Sequence, residues 1–294
     1  MIEGTAFGAR LKAWRPPDGS VGIVALGQAG IALRGRDALV LIDPFLSPRP
    51  GRIRDAPVAA ADLAGVTLVL ATHEHADHLD LEAWPAIAAG SPDARFVVPA
   101  PLRSLVVESG IRPDRVVAAR PGAAIEHAGV VVTPVPARHG VHVADGYSLG
   151  PPGPPRWVGY VVELDGVVIY HAGDSLADPA IVDAVRPHEP QIAFLPINGR
   201  DREREARDIV GNMTPDEAAQ VAREIAAHLA VPIHFDAIEG NEGRPEAFVA
   251  AMRRHHPTAS VWVPALGAGL VWPAAGRSWP GPVDGRSSPR PPGA

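Results

Sequence analysis

The run Val66-Thr67-Leu68-Val69-Leu70-Ala71 is apolar and rich in β-branched residues, and Thr72-His73-Glu74-His75-Ala76-Asp77-His78-Leu79-Asp80 follows it at once. The first stretch reads as a buried strand. The residues from Asp80 to Ala89 read as a helix. Four side chains of metal-ligating type, His73, His75, Asp77 and His78, therefore lie on the loop that leaves the C-terminal end of a strand. This points to an architecture that mixes strands with helices and binds its ligand beyond the carboxyl ends of the strands. Imidazole and carboxylate donors suit a divalent transition metal. The chain has no cysteine, so disulfides and thiolate metal sites are both excluded.

The rest of the chain repeats the arrangement. Residues 21–25, 31–34 and 38–42 read as three consecutive strands joined by the turns Gly27-Gln28-Ala29-Gly30 and Gly35-Arg36-Asp37. The third strand stops at Asp43-Pro44. Asp43 either orients a metal-bound histidine or caps the turn, and the sequence leaves both open. A proline- and arginine-rich loop covers 47–58, and residues 59–64 read as a short helix. Further strands are expected at 95–98, 115–118, 124–126 and 130–135, with a helix over 101–109. Pro134 and Pro136 are expected to end the last of these strands, just before Ala137-Arg138-His139. A hairpin over 157–164 and 167–170 turns at Asp165-Gly166 and delivers His171-Ala172-Gly173-Asp174. A strand at 192–195 leads to Asn198-Gly199-Arg200. Thr214-Pro215-Asp216-Glu217 opens a helix expected to reach Leu229, with a capping box and proline in the first turn. Val231-Pro232-Ile233 is a short strand ending at His234. A helix over 245–255 and a strand over 260–263 follow. One α/β domain over 1–272, built of two packed sheets with outer helices, fits this order. A Pro/Gly-rich tail over 273–294 is expected to be disordered.

Strand ends thus carry seven ligand candidates. His73, His75 and His139 suit one metal position; Asp77, His78 and His234 suit another; Asp174 has the two oxygens needed to bridge them. Two such metals share a bridging hydroxide that forms near neutral pH and attacks an acyl or phosphoryl centre, with no serine or cysteine nucleophile. Asp77 and Asp174 are the carboxylates expected to take part in the catalysis, Asp77 or a metal-bound water handling the proton. Zinc is the first choice for both positions, with manganese or iron as alternatives.

The pattern His73-x-His75-x-Asp77-His78, followed by His139, Asp174 and His234 at strand ends, resembles the metallo-β-lactamase superfamily over residues 20–270. The resemblance implies a four-layer αββα sandwich of two mixed sheets with a binuclear site at one edge. Gly27-Gln28-Ala29-Gly30, Asp43-Pro44, His171-Ala172-Gly173-Asp174, Pro196-Ile197-Asn198-Gly199-Arg200, Asn212-Met213-Thr214-Pro215 and Pro232-Ile233-His234-Phe235-Asp236 make it similar to the L-ascorbate-6-phosphate lactonase branch. That likeness implies a hydrolase acting on a small-molecule ester or lactone, phosphorylated or not, with manganese as a candidate metal. The alternative is a phosphodiesterase, phospholipase D-like or nuclease-like, on the same centre. In the oxygen-reducing diiron branch a glutamate replaces the second histidine; His75 stands there in this chain, which favours hydrolysis.

Around the centre, Arg200 is the first candidate to grip an anionic substrate group in a bidentate manner, with Asn198 beside it; His171 either touches substrate, orients Asp174 or is a packed or capping histidine, and the sequence leaves these open. The opposing view of 200–208 is a solvated run of mixed charge. Glu74 and Arg138 are expected to point away from the metals, and His228 is set aside as helical. The formal net charge of −6 gives no basic footprint for nucleic acid. With no apolar run of membrane-spanning length, the expected partner is a small, anionic molecule rather than a membrane, the expected location is cytoplasmic, and homo-oligomers remain open.

Overall fold

The computed structural model describes residues 4–274. Strands β1 (Ser20–Gly27), β2 (Gly30–Arg34) and β3 (Leu39–Ile42) form an antiparallel meander. β4 (Leu68–Leu70), β5 (Arg95–Pro99) and β6 (Val116–Ala119) then add in parallel to β3. The second half repeats the scheme. β7 (Ile125–His127), β8 (Val130–Pro136), β9 (Val158–Leu164) and β10 (Val167–His171) are antiparallel. β11 (Ile192–Pro196), β12 (Leu229–Ile233) and β13 (Ser260–Val261) continue in parallel. β14 (Gly269–Pro273) returns to pair antiparallel with β1, which gives two seven-stranded mixed sheets.

The strand sequences are apolar on both faces, as sheets covered on both sides require. Val40 and Ile42 of β3, Leu68 and Leu70 of β4, Ile192 and Phe194 of β11 and Val231 of β12 fill the space between the sheets. Their neighbours Leu39, Leu41 and Val69 face the other way, onto Leu11 of α1 (Gly4–Ala13), Trp84 and Ile87 of α2 (Trp84–Gly90) and Val106 of α3 (Arg103–Glu108). Ala193, Leu195 and Ala230 likewise meet Val182 of α4 (Pro179–Val185), Ala222 of α6 (Pro215–Glu224) and Phe248 of α7 (Pro245–His255). The short α5 (Arg202–Glu205) buries no residue. The layers are α, β, β, α, the arrangement the resemblance implies.

Several boundaries differ from the sequence reading. The helix expected from Asp80 starts only at Trp84, because Asp80 is buried and occupied. Its carboxylate accepts the backbone N–H groups of Leu46 and Ser47 and the Ser47 hydroxyl, which ties the 44–58 loop to the histidine loop. The helix expected over 59–64 is a single 3-10 turn at Ala60–Asp62. The capping box of α6 forms as read, but the helix ends at Glu224, five residues early, and the chain reverses at Ala226 with φ +56°. Pro134 lies inside β8 rather than ending it. Its carbonyl accepts Gly122 N–H on the side away from β9, so the N–H that proline lacks costs no ladder bond. The tail boundary also moves: Pro273 pairs with Ser20 at the end of β14, a strand the sequence reading missed. Residues 275–294 of the expected tail lie outside the described residues.

Candidate metal centre

Strand directions bring the C-terminal ends of β1, β3 and β4 in the first sheet, and of β8, β10, β11 and β12 in the second, to one edge of the sandwich. The Tyr160 hydroxyl of β9 donates to the Ala71 carbonyl at 2.8 Å, and Val158 N–H donates to the Thr72 carbonyl at 2.9 Å, which pins the two sheets together there. Beyond Thr72 the histidine loop turns back on itself, with the N–H groups of both His78 and Leu79 donating to the His75 carbonyl. The turn sends His73 and His75 to one place and Asp77 and His78 to another.

All seven ligand candidates converge. His73, His75, His139 and Asp174 form one group and Asp77, His78 and His234 a second, each with donor atoms within 4.8 Å of one another. In the first, His73 Nε2 lies 2.9 Å from His75 Nδ1, which lies 3.4 Å from His139 Nε2. Asp174 Oδ2 is 3.9 Å from His73 Nε2 and 3.6 Å from His139 Nε2. In the second, Asp77 Oδ2 is 3.3 Å from His234 Nε2 and 3.7 Å from His78 Nε2. Asp174 lies between the groups, with Oδ1 3.3 Å from His78 Nε2 and Oδ2 3.3 Å from His234 Nε2. His73, His78, His139, Asp174 and His234 are buried, while His75 and Asp77 are partly open to solvent.

The outer partners of the imidazoles decide which nitrogen faces inward. His78 Nδ1–H donates to Asp43 Oδ2 at 2.7 Å, so Nε2 is the nitrogen turned toward the centre. Asp43 also accepts Thr72 N–H and the Thr72 hydroxyl. The Thr72 oxygen accepts in turn from His73 Nδ1–H at 3.0 Å. His75 is used the other way round: Nε2–H donates to the Val141 carbonyl, and Nδ1 faces inward. Gly173 permits this packing, since its φ is +59° and a Cβ there would lie 2.6 Å from the Thr72 Cβ.

This geometry fits a metal. Once Thr72 and Val141 have taken the outer protons of His73 and His75, the two facing nitrogens are bare lone pairs 2.9 Å apart. They repel unless a cation stands between them. Nitrogens around a tetrahedral zinc are separated by about 3.3 Å, in the middle of the spacings found here. His78 Nε2 and Asp174 Oδ1 are buried with no hydrogen-bond partner among the described residues, which again leaves room for a cation to serve both.

Electrostatics divides the two groups. Burial and the neighbouring imidazoles hold His73 well below the ordinary histidine value, and burial takes His139 down to about 3, so both stay neutral and ready to ligate. Burial also opposes a charge on His78, but the carboxylates of Asp174, Asp43 and Asp77 outweigh it and hold the group well above its ordinary value. His234 is raised to about 9 against the same burial penalty, chiefly by Asp174. Burial disfavours charge on Asp174 and Asp77 as well, yet His234 and His78 keep both carboxyls ionised far below the usual range. Protons stand in the second group where a divalent ion would sit.

The substrate candidates do not join the centre. Both guanidinium nitrogens of Arg200 are held at 2.7 Å by the Glu217 carboxylate, and one also donates to the Asn212 carbonyl, so its fork is filled from within. Asn198 is buried between Asn212 and Asn241. His171 is fully buried: Nε2–H donates to the Ala29 carbonyl and Nδ1 accepts Gly173 N–H, which leaves nothing to offer a substrate. In this structure the polar groups of all three are engaged by partners within the chain. Glu74 pairs with Arg156, and Arg138 with Asp178, both turned from the centre as expected. His228 is no ligand, but for a different reason from the one given: it lies outside α6, exposed, at the opposite end of β12 from His234. Gln28, which the sequence offered only as part of a turn, is buried against Asp77 and His234.

A family model described as a beta-lactamase superfamily domain matches residues 39–235. A UPF0173 metal-dependent hydrolase of Methanoregula boonei is 31% identical over 234 residues, covering 78% of this chain and 88% of the relative. Another, of Myxococcus xanthus, is 28% identical and covers 90% of each chain. Among solved structures, the metallo hydrolase Igni18 of Ignicoccus hospitalis has a TM-score of 0.68 at 19% identity, covering 86% of this chain and 98% of its own. The isothiocyanate hydrolase from Delia radicum gut bacteria scores 0.67 at 19% identity, covering 86% and 100%. The diiron β-hydroxylase CmlA of Streptomyces venezuelae scores 0.66 at 17% identity, covering 87% of this chain and 54% of its own. At these identities the structures show a shared fold, one that hosts both hydrolytic and oxidative chemistry. No helix among the described residues is long and apolar enough to cross a membrane.

Proposed function

The chain belongs to the beta-lactamase superfamily and, within it, to the UPF0173 metal-dependent hydrolases, and from that premise we propose that it is a hydrolase using two divalent metal ions on an uncharged small-molecule ester or lactone. The observation that carries the reading is the pair of facing lone pairs on His73 and His75, with five further ligand atoms closing around the same edge. His73, His75 and His139 would hold one ion, Asp77, His78 and His234 the other, and Asp174 would serve both. Bound there, the ions supply Lewis-acid polarisation of the substrate and an activated water at neutral pH.

The chain's own residues supply orientation and proton handling. Asp43, Thr72 and the Val141 carbonyl hold protons on the outer nitrogens of His78, His73 and His75, and so keep the inner nitrogens free. Asp77, the carboxylate of the centre that is partly open to solvent, is placed to receive a proton. Burial of five of the seven side chains keeps bulk water away from them, which strengthens each charge interaction. An uncharged substrate is favoured because Arg200, the arginine singled out for an anion, is engaged with Glu217, and Arg138 and Arg156 are paired with Asp178 and Glu74. Two exposed aliphatic side chains hang on segments tied to ligands. Ile53 binds through its N–H to the Ala237 carbonyl, and Leu149 follows Ser148, whose carbonyl accepts His139 N–H.

The test is a panel of lactones, aryl esters and phosphodiesters, run on protein stripped with chelator and on protein restored with zinc, manganese or iron. Turnover of lactones or esters should vanish on stripping and return on restoration. Turnover that persists in fully metal-free protein refutes the mechanism, and a preference for phosphodiesters replaces the substrate assignment.

A further inference from the structure

The two groups of ligands are unequal. The first has four side chains, the number a tetrahedral ion requires. The second has three, and reaches four only by borrowing Asp174. The Gln28 side chain sits beside the second group. Its Nε2 atom is 2.7 Å from Asp77 Oδ2 and lies against the His234 ring, 3.0 Å from Nε2 and 3.3 Å from Nδ1, while its Oε1 atom is buried without a partner among the described residues.

The backbone holds Gln28 there against its preference. Gln28 has φ +56° and His234 φ +59°, left-handed values that neither side chain favours. They are kept by reciprocal bonds: His234 N–H donates to the Gln28 carbonyl at 2.8 Å, and Gln28 N–H donates to Asp236 Oδ1 at 2.9 Å. The turn between β1 and β2 of the first sheet is thereby latched to the loop after β12 of the second. A side chain that only filled space would need neither the strained backbone nor the polar head.

The two ends of a glutamine amide occupy interchangeable positions. With the N–H₂ end inward, donors crowd Asp77 and His234, and a cation beside those two ligands is opposed. With the carbonyl inward, the oxygen lies among those ligands at spacings of 2.7 and 3.0 Å, close to the first group's shortest spacing of 2.9 Å. We propose that Gln28 is a further ligand of the second metal position, beside Asp77, His78, His234 and the shared Asp174, binding through its side-chain carbonyl oxygen. The inference rests on the reading of the centre as a two-metal site and adds a ligand to it.

The experiment measures metal binding, not turnover. Wild-type protein and the variants Gln28→Ala, Gln28→Leu and Gln28→Glu are stripped, then titrated with Zn²⁺ against a competing chelator, with bound metal counted by elemental analysis and folding checked by circular dichroism. Wild type should bind two ions; failure to do so refutes the two-metal reading itself, whatever the variants do. Given two ions in the wild type, Gln28→Ala should lose at least about tenfold in affinity for one ion and keep the other unchanged. Gln28→Leu fills the same space without an oxygen and should behave alike, and it decides the matter if the alanine variant fails to fold. Gln28→Glu keeps an oxygen but has no N–H, and should bind both ions within about threefold of wild type or tighter. Wild-type affinities in the alanine or leucine variant overturn the proposal. So does an equal loss in the glutamate and leucine variants, because the group that mattered would then be the N–H.

Discussion

Asp43→Asn tests whether a single outer proton controls the centre. The substitution is nearly isosteric, and asparagine tolerates the φ of +46° found at this residue. What changes is the sense of one hydrogen bond. Asp43 accepts from Thr72 N–H at 2.8 Å, from the Thr72 hydroxyl at 2.8 Å and from His78 Nδ1–H at 2.7 Å. An asparagine oxygen must keep the Thr72 N–H, because the opposite orientation sets donor against donor. The N–H₂ group then faces His78 Nδ1, which can only accept. The ring must carry its proton on Nε2, the nitrogen that faces Asp174 and the second metal position. A charge-assisted hydrogen bond of about 1.5–3 kcal/mol is lost from the ligating tautomer, which corresponds to roughly a 10–100-fold weakening of one metal ion. Chelator competition should show that loss for one of two ions, with kcat/KM falling in step and circular dichroism unchanged. Asp43→Asn protein that binds both ions with wild-type affinity would falsify the tautomer argument.

Four further outcomes follow from the same geometry. His234 is raised from its ordinary value of 6.5 to about 9 in the metal-free fold, so its proton stabilises that fold fully below pH 6.5 and ceases to do so as the pH rises through about 9; the melting temperature of stripped protein should fall across that window, and a flat profile counts against the charged pair. At pH 7 the second group carries protons on both His78 and His234, so metal loading should release about two protons; calorimetry in buffers of different ionisation enthalpy reads the number, and no release contradicts the assignment. Arg200→Ala should cost about 1 kcal/mol of stability, because its half-buried pairing with Glu217 is partly screened, and should leave KM within about twofold; a tenfold rise in KM would restore the substrate-binding role. Gly173→Ala should lower stability by more than about 2 kcal/mol and weaken metal binding, since the added Cβ drives into Thr72, the acceptor for His73; a wild-type melt and affinity would refute the packing argument.

The candidate ligands were legible as a group because each side chain sits at a place that sequence marks well. His73, His139, Asp174 and His234 each come a few residues past the end of an apolar strand, and a strand end fixes both position and direction. Short elements without such marks were lost: β14 is five residues beside a proline-rich segment, and α4 is seven residues long although Asp178 caps it and Pro179 opens it. The substrate residues failed for a different reason. Arg200 is long, and its direction is set by Glu217, a residue seventeen positions away that the sequence showed only as half of a capping box. The same carboxylate does both jobs, and pattern alone reveals only the local one.

Strain shows the same limit from another side. Gln28, Asp43 and His234 are non-glycine residues with positive φ, and all three touch the second group of ligands, through Asp77, through His78 and as a ligand respectively. His73, His75 and His139 of the first group adopt no such angle. Each left-handed non-glycine residue costs on the order of 1 kcal/mol or more, so the fold concentrates stored energy around one position of the pair. Propensity rules assign these φ values to glycine, and Gly27 and Gly30 stand on either side of Gln28, so the sequence reads as a glycine turn and hides the residue that matters. What holds the strain is long-range: the Gln28–His234 and Gln28–Asp236 bonds span more than two hundred residues and join the two sheets at their shared edge. Both positions draw on both sheets: the histidine loop gives His73 and His75 to the first and Asp77 and His78 to the second, while His139, Asp174 and His234 follow strands of the second sheet, so neither group is assembled until the two halves have docked.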